Sequence, residues 1–279
     1  MAIDIPRIPL GNWIEGSLEW LTSEYSMVTR GISRVTQTGI DGLNDALMWL
    51  PPWGLLLIIV GLCWWLANAR LAIGAAAGMA LIWNMDLWDP MIETLTLVVI
   101  ATLVAVVIAL PVGIAAALSE RLYRVIMPVL DFMQTMPAFV YLIPAIPFFG
   151  IGSVSAIFAT VIFSMPPAIR FTTLGIRQVP GELIEAADAY GATRGQKLVK
   201  VQLPLSLPTV MAGINQTIML ALSMVVIAAM IGADGLGSEV WRAIQRLRPG
   251  DGFEAGIAVV ILAMLLDRLT QSLRKQRKS

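Results

Sequence analysis

Glu182, Glu185 and Asp188 recur every third residue in the segment Glu182-Leu183-Ile184-Glu185-Ala186-Ala187-Asp188-Ala189-Tyr190, and Gly191 closes it. On a helix this spacing gathers the carboxylates on one side and weights the helix start with negative charge. The chemistry on offer is docking rather than bond making: Ala186 and Ala187 are small enough to let a partner surface approach closely. Gly191 suits the left-handed stop that ends such a helix. Arg194, Lys197 and Lys200 follow as a basic segment able to grip a partner or lipid phosphates. Leu203-Pro204 comes next, and the proline is expected to limit the start of the following helix, because the residue before a proline is pushed out of helical geometry. On charge pattern alone a solvated amphipathic loop is the simpler account. The full spacing from Glu185 to Pro204 decides against it.

A second set of chemistry-bearing residues lies in apolar surroundings. Asp131 follows Arg124 by seven positions inside an apolar segment. Intramembrane carboxylates are functional candidates by default, and this one would suit a cationic head group. Pro128 equally fits an interfacial stretch that leaves Asp131 wet. Pro137, Pro144 and Pro147 interrupt the same segment, freeing carbonyls that line a pathway or simply bend a helix. Met136, Phe139 and Tyr141 beside that interruption are further pathway candidates, as are Asn215 and Ser223 with Gln216 and Thr217 on a later apolar segment. Interhelical hydrogen bonding explains the polar ones equally well.

Other chemistries drop out. The chain has no histidine, which removes imidazole bases, the usual histidine-containing metal sites and histidine proton relays together. No catalytic residue and no metal site is expected. Cys63 is the single cysteine and sits in an apolar run, so no internal disulfide exists and a packed thiol is the plain reading. Gly191-Ala192-Thr193-Arg194-Gly195-Gln196-Lys197 only resembles a phosphate loop; it lacks Gly-Lys-Ser/Thr and follows no strand. No ATP site is therefore read in this chain. With a formal net charge of zero and no basic cluster interleaved with aromatics, nucleic acid is excluded as a partner.

The elements that must position these residues are membrane helices. Of 279 residues, 57% are hydrophobic and 14% charged, a balance no soluble core requires. A helix needs about 20 apolar residues to cross the hydrocarbon core, and seven segments are candidates: 50–69, 71–87, 92–118, 125–147, 151–169, 207–231 and 254–270. The second and last are short of charge-free length and need snorkelling ends at Arg70 or Asp267-Arg268. The fourth and fifth come from one uncharged run, split by a turn at Phe149-Gly150-Ile151-Gly152. With the Glu185 loop inside, thirteen basic residues fall on the inner side and six (Arg7, Arg30, Arg34, Arg242, Arg246 and Arg248) on the outer. That asymmetry places the N-terminus outside and the C-terminus inside, provided all seven segments span.

Residues 12–48 read as amphipathic and non-spanning. Ile14, Leu18, Leu21, Tyr25, Val28, Ile32 and Val35 step by three and four into an apolar stripe for the outer leaflet or the bundle, with Asn12 and Glu15 as an N-cap pair. No basic stretch followed by a continuous apolar core precedes them, so no cleaved signal peptide is expected. Eight of nine tryptophans lie in the first 88 residues. Interfacial anchoring is the commoner cause of such enrichment; an aromatic cage for a quaternary ammonium group is the alternative.

Glu185-Ala186-Ala187, a glycine four positions on from Ala187, and Val201-Gln202-Leu203-Pro204 resemble the EAA signature of permease subunits in binding-protein-dependent, ATP-driven importers. The stretches 131–141 (DFMQTMPAFVY), 163–170 (FSMPPAIR), 175–180 (GIRQVP) and 211–224 (MAGINQTIMLALSM) extend the likeness, over about residues 90–270, to the glycine betaine, proline betaine and choline permease subfamily. The pattern departs at Asp234, where a smaller residue is expected. The resemblance implies an all-α integral membrane protein with the type I ABC importer permease fold: a five-helix core, two N-terminal transmembrane helices and an amphipathic N-terminal helix. It implies an extracytoplasmic region 1–48, accessory helices in 49–89, a permease core 90–273 containing a coupling loop 170–206, and a basic cytoplasmic tail 274–279. It further implies a multi-pass protein of the prokaryotic inner membrane, working with a second permease copy, two ATP-binding subunits that carry ATP and Mg, an extracytoplasmic substrate-binding protein and membrane lipid. Glu185, Ala186, Ala187, Asp188, Gly191, Leu203 and Pro204 would then couple ATP hydrolysis to uptake of a quaternary-ammonium osmolyte. The alternatives are an importer for another small solute such as an amino acid, and an ion-coupled carrier.

Overall fold

A computed structural model describes residues 9–276, and all of its regular elements are helical. In chain order they are α1 (Leu10–Glu24), α2 (Ser26–Met48), α3 (Pro52–Leu66), α4 (Ala69–Asn84), α5 (Trp88–Leu118), α6 (Glu120–Thr135), α7 (Leu142–Phe149), α8 (Ser153–Arg177), α9 (Gly181–Ala189), α10 (Arg194–Lys197), α11 (Leu203–Ala228), α12 (Leu236–Gln245) and α13 (Pro249–Gln276). A 3-10 turn at Ala138–Tyr141 leads into α7, and a π-helical turn at Leu198–Gln202 joins α10 to α11. Residues 1–8 and 277–279 lie outside the described residues, so the tail segment 274–279 is reached only in its first positions.

α8 is the central post, packed along α5 on one side and α11 on the other. Its neighbours approach closely because they present glycine. A Cβ on Gly113 of α5 would stand 2.7 Å from Thr172 Cβ, and one on Gly213 of α11 would stand 2.6 Å from Phe171 Cβ. The Thr173 hydroxyl donates to the Gly113 carbonyl at 3.0 Å across the first of these contacts. Small residues at helix crossings are how membrane helices gain packing energy where lipid removes the hydrophobic drive between them. The turn between α7 and α8 falls at Gly150 and Gly152, with φ +79° and +125°, where the sequence places it.

At the end of the bundle near that turn, Gly235 and Gly237 wedge α12 against α5 and α11. The Leu236 N–H donates to Thr94 Oγ1 at 2.8 Å. A Cβ on Gly235 would lie 2.5 Å from Thr94 Oγ1, and one on Gly237 2.7 Å from Val226 Cα. Asp234, by contrast, is exposed, so nothing here limits its size.

The span pattern differs from the hydropathy reading. Among the described residues three continuous helices are long and apolar enough to cross a membrane: 88–118, 153–177 and the rod 194–231. The segment 125–147 is not one rod, since α6 and α7 meet at a 111° bend. Pro137 withholds the N–H that would continue α6, and Met136 is extended at ψ 135° as a residue before proline should be. α2 and α3 form a second bent pair at 96°. α3 and α4, with 15 and 16 residues, are packed on each other, and each is shorter than the roughly 30 Å hydrocarbon thickness.

One N-terminal expectation is corrected. α1 begins at Leu10 with Pro9 in the cap position, so Asn12 is inside the helix and caps nothing. In α2 the buried residue is Ile40, packed towards the bundle with Leu47, whereas Val28, Ile32 and Val35 of the apolar stripe are exposed. Thr29, Ser33 and Thr36 are half-buried. Seven of the eight N-terminal tryptophans are exposed and Trp88 is buried, an arrangement that suits interfacial anchoring.

Candidate functional site

The Glu185 loop forms as its local sequence dictates. α9 ends in a Schellman motif: the Ala192 N–H donates to the Ala187 carbonyl at 3.0 Å and the Gly191 N–H to the Asp188 carbonyl at 2.9 Å. Gly191 takes φ +74°, the left-handed value the motif requires. Glu182, Glu185, Ala186 and Asp188 are exposed, while Ile184 and Ala187 are half-buried against the chain. The two alanines therefore divide the work. Ala186 presents close-approach surface outward, and Ala187 supplies the carbonyl that closes the helix. Tyr190, 93% exposed, stands beside them.

The basic segment does less outward work than its charge suggests. Lys197 folds back on Asp188 at 2.6 Å. Among the described residues Arg194 and Lys200 make no ion pair and are exposed. Thr193 and Gln196 form a capping box, with the Gln196 N–H donating to Thr193 Oγ1 at 3.3 Å and the Thr193 N–H to Gln196 Oε1 at 2.9 Å. The Thr-x-x-Gln spacing by itself specifies such a box.

Pro204 does not limit the start of its helix. Leu203 is helical at φ −64° and ψ −45°, and the chain runs without a break from Arg194 to Ile231. The π-turn at Leu198–Gln202 shifts the hydrogen-bond register by one residue just ahead of the proline. That shift accommodates the missing N–H and the ring in a widened turn. The consequence is mechanical: the Glu185 loop is attached to a single rod of 38 residues, about 57 Å long.

The pathway candidates fall into three places. Asp131 pairs with Arg170 and is 64% exposed, and Glu120 pairs with Arg177 at 2.7 Å, so α6 is pinned to α8 at both ends. Arg177 also lies 3.8 Å over the Tyr123 ring. Met136, Phe139 and Tyr141 lie at the bend, where the 3-10 turn packs on α11. Tyr141 is buried, donates its hydroxyl to the Met133 carbonyl and meets Phe163 edge-on at 5.7 Å; Phe139 is exposed. Ser223 is exposed on α11 with its hydroxyl donated to the Met219 carbonyl at 3.0 Å. Asn215 belongs elsewhere, reaching α13 through a 2.8 Å hydrogen bond to Asp267. Asp267 and its second partner Gln271 were missed because the sequence places Asp267-Arg268 at a snorkelling helix end.

Residues 109–276 match the family of binding-protein-dependent transport system inner membrane components. The chain is 49% identical over 275 residues to the glycine betaine transport system permease protein of Bacillus subtilis, covering 99% of this chain and 98% of that one. It is 52% identical over 284 residues to the glycine betaine/carnitine transport permease protein of Listeria monocytogenes, with 99% of each chain covered. The glycine betaine/proline betaine transport system permease protein of Escherichia coli is 43% identical over 98% of this chain and 77% of its own length. In structure the chain resembles an inward-facing methionine ABC transporter with a TM-score of 0.62 and 25% identity, covering 66% of this chain and 92% of that chain.

Proposed function

The chain belongs to the binding-protein-dependent transport system inner membrane components and is a multi-pass permease subunit with the type I ABC importer fold, and on that premise we propose that it admits a quaternary-ammonium osmolyte, glycine betaine foremost. The observation that carries the cargo is the end-to-end identity of 43–52% with permeases named for glycine betaine. The likeness to a methionine transporter, at 25% identity, supports the fold more than a cargo. Importers of this family work with an ATPase and a substrate-binding protein. We assign two ATP-binding subunits and a second permease copy to the assembly, with ATP and Mg held by the ATPase and no nucleotide site in this chain.

Coupling runs through the Glu185 loop. The exposed face of Glu182, Glu185, Ala186 and Tyr190 receives the ATPase, Gly191 fixes the direction of α9, and Leu203 and Pro204 lie where the loop becomes the α11 rod. A push on α9 then moves a stiff helix through the membrane rather than a slack tether. Met136, Phe139, Tyr141 and Ser223 border the pathway at the bend and along α11. Asp131, neutralised by Arg170, serves to hold α6.

Growth in high-salt medium tests the cargo. In a strain lacking osmolyte uptake, this chain expressed with its ATPase and binding protein should restore growth when glycine betaine is supplied. Rescue by methionine and not by glycine betaine would reject the assignment. Orientation is a separate prediction from the thirteen-to-six basic asymmetry. In a Cys63→Ala background, Ser17→Cys should react with an impermeant thiol reagent in intact cells and Ser279→Cys should not. Labelling only at position 279 would mean that the chain is inserted the other way round.

A further inference from the structure

Asp267 is half-buried on α13, 18 residues on from Pro249 and beside α11. Each carboxylate in a described ion pair, Glu120, Asp131, Asp188, Glu239 and Asp251, faces an arginine or lysine. Asp267 is different. Among the described residues its partners are two neutral amides: Asn215 Nδ2 donates to Oδ1 at 2.8 Å, and Gln271 Nε2 donates to both carboxylate oxygens at 2.8 Å. Arg268, next in the chain, is exposed and makes no described ion pair. Among the described residues the negative charge is oriented by amides and meets no basic side chain.

Beside it is a cavity of about 220 Å³ lined by Met211, Ala212, Asn215, Thr270 and Gln271. Two of its lining residues, Asn215 and Gln271, are those that hold Asp267. Asn215 Oδ1 is buried and has no hydrogen-bond partner, and the Thr270 hydroxyl donates to the Leu266 carbonyl at 2.7 Å, leaving its oxygen lone pairs free. The volume is below the ~300 Å³ at which drug-sized pockets begin, and suits one compact head group. A single carboxylate among amide and hydroxyl oxygens is poor for a divalent metal, and no cluster of three metal-ligating side chains occurs among the described residues. The adjacent carboxylate gives the cavity a negative bias that suits a monovalent cation.

We propose that Asp267, Asn215 and Gln271 form a cation subsite between α11 and α13 that holds the quaternary ammonium head of the cargo on its way towards the Glu185-loop side. The proposal rests on the quaternary-ammonium reading of this permease and gives it a recognition site within the chain, on the rod that the loop moves. Asp267 binds through charge, while Asn215 and Gln271 position the carboxylate.

The test uses the complete complex in vesicles, with binding protein outside and ATP inside, measuring initial glycine betaine uptake and ATP hydrolysis as luminal tetramethylammonium chloride replaces sodium or potassium chloride at constant ionic strength. Occupancy from the inside should slow wild-type turnover with tetramethylammonium and not with either alkali cation. Asp267→Asn should raise the half-inhibitory concentration about tenfold by removing one Coulombic contact, and Asp267→Glu should stay within about twofold. Ala212→Leu, which fills the cavity and leaves the carboxylate alone, should also raise it and serves if Asp267→Asn does not assemble. Equal inhibition by all three salts, no inhibition by any, or an unchanged half-inhibitory concentration in Asp267→Asn would overturn the site. Wild-type vesicles that hydrolyse ATP but take up no glycine betaine would count against the cargo reading instead, and the site is then scored on hydrolysis alone.

Discussion

Gly191→Val should reduce ATP-driven uptake by about tenfold or more while the protein reaches the membrane in normal amount. The cost is conformational. Gly191 sits at φ +74°, and a Cβ built there meets nothing within 4 Å, so no collision is involved. A left-handed backbone costs an ordinary L-residue roughly 1–2 kcal/mol, and a β-branched residue is the least able to adopt it. Valine would therefore open the Schellman motif, releasing the Ala187 and Asp188 carbonyls and redirecting α9 relative to α10. Asparagine visits the left-handed region more readily, so Gly191→Asn should keep most of the activity. Uptake and ATP hydrolysis measured together separate the outcomes: valine should leave hydrolysis running without transport, or prevent the ATPase from binding. Full uptake by Gly191→Val at wild-type expression would remove Gly191 from the coupling element.

Gly213→Val should have the opposite phenotype, loss of folded protein rather than loss of coupling. The added Cβ would stand 2.6 Å from Phe171 Cβ, 3.2 Å from the Pro167 carbonyl oxygen and 3.3 Å from Ala168 Cα. These atoms belong to the α8 backbone or its first side-chain carbon and cannot swing aside, so α8 and α11 must separate. Overpacking of this kind costs about 1–3 kcal/mol, and more where backbone must move. Gly256 on α13 is the matched control, with nothing within 4 Å of its Cβ position. After detergent extraction and mild heating, Gly213→Val should leave the monodisperse peak in size-exclusion chromatography while Gly256→Val remains in it. Equal survival of the two would show that the α8–α11 contact is looser than described.

What the sequence made legible was local. The stop at Gly191 and the turn at Gly150 and Gly152 depend on backbone conformations that glycine adopts freely, so the residue type and its position were enough. Pro204 was misread for the complementary reason: the rule about the residue before a proline is local, and a π-turn five residues long overrode it. Hydropathy could not separate a straight span from the bent α6–α7 pair, because both bury similar lengths of apolar chain. Asp267 was passed over since its meaning depends on Asn215, 52 residues away, and a carboxylate near a helix end looks the same in sequence whether it faces water or a neighbouring helix.

The central claim is that ATP drives a quaternary-ammonium osmolyte through this chain. The direct measurement is accumulation of labelled glycine betaine in vesicles holding the permease and its ATPase, with ATP enclosed and the binding protein outside. Uptake should require both ATP and the binding protein, persist when ion gradients are collapsed by ionophores, and be competed by proline betaine or carnitine but not by methionine. Uptake that continues without ATP and stops with the ionophores, or that prefers methionine, would contradict the account.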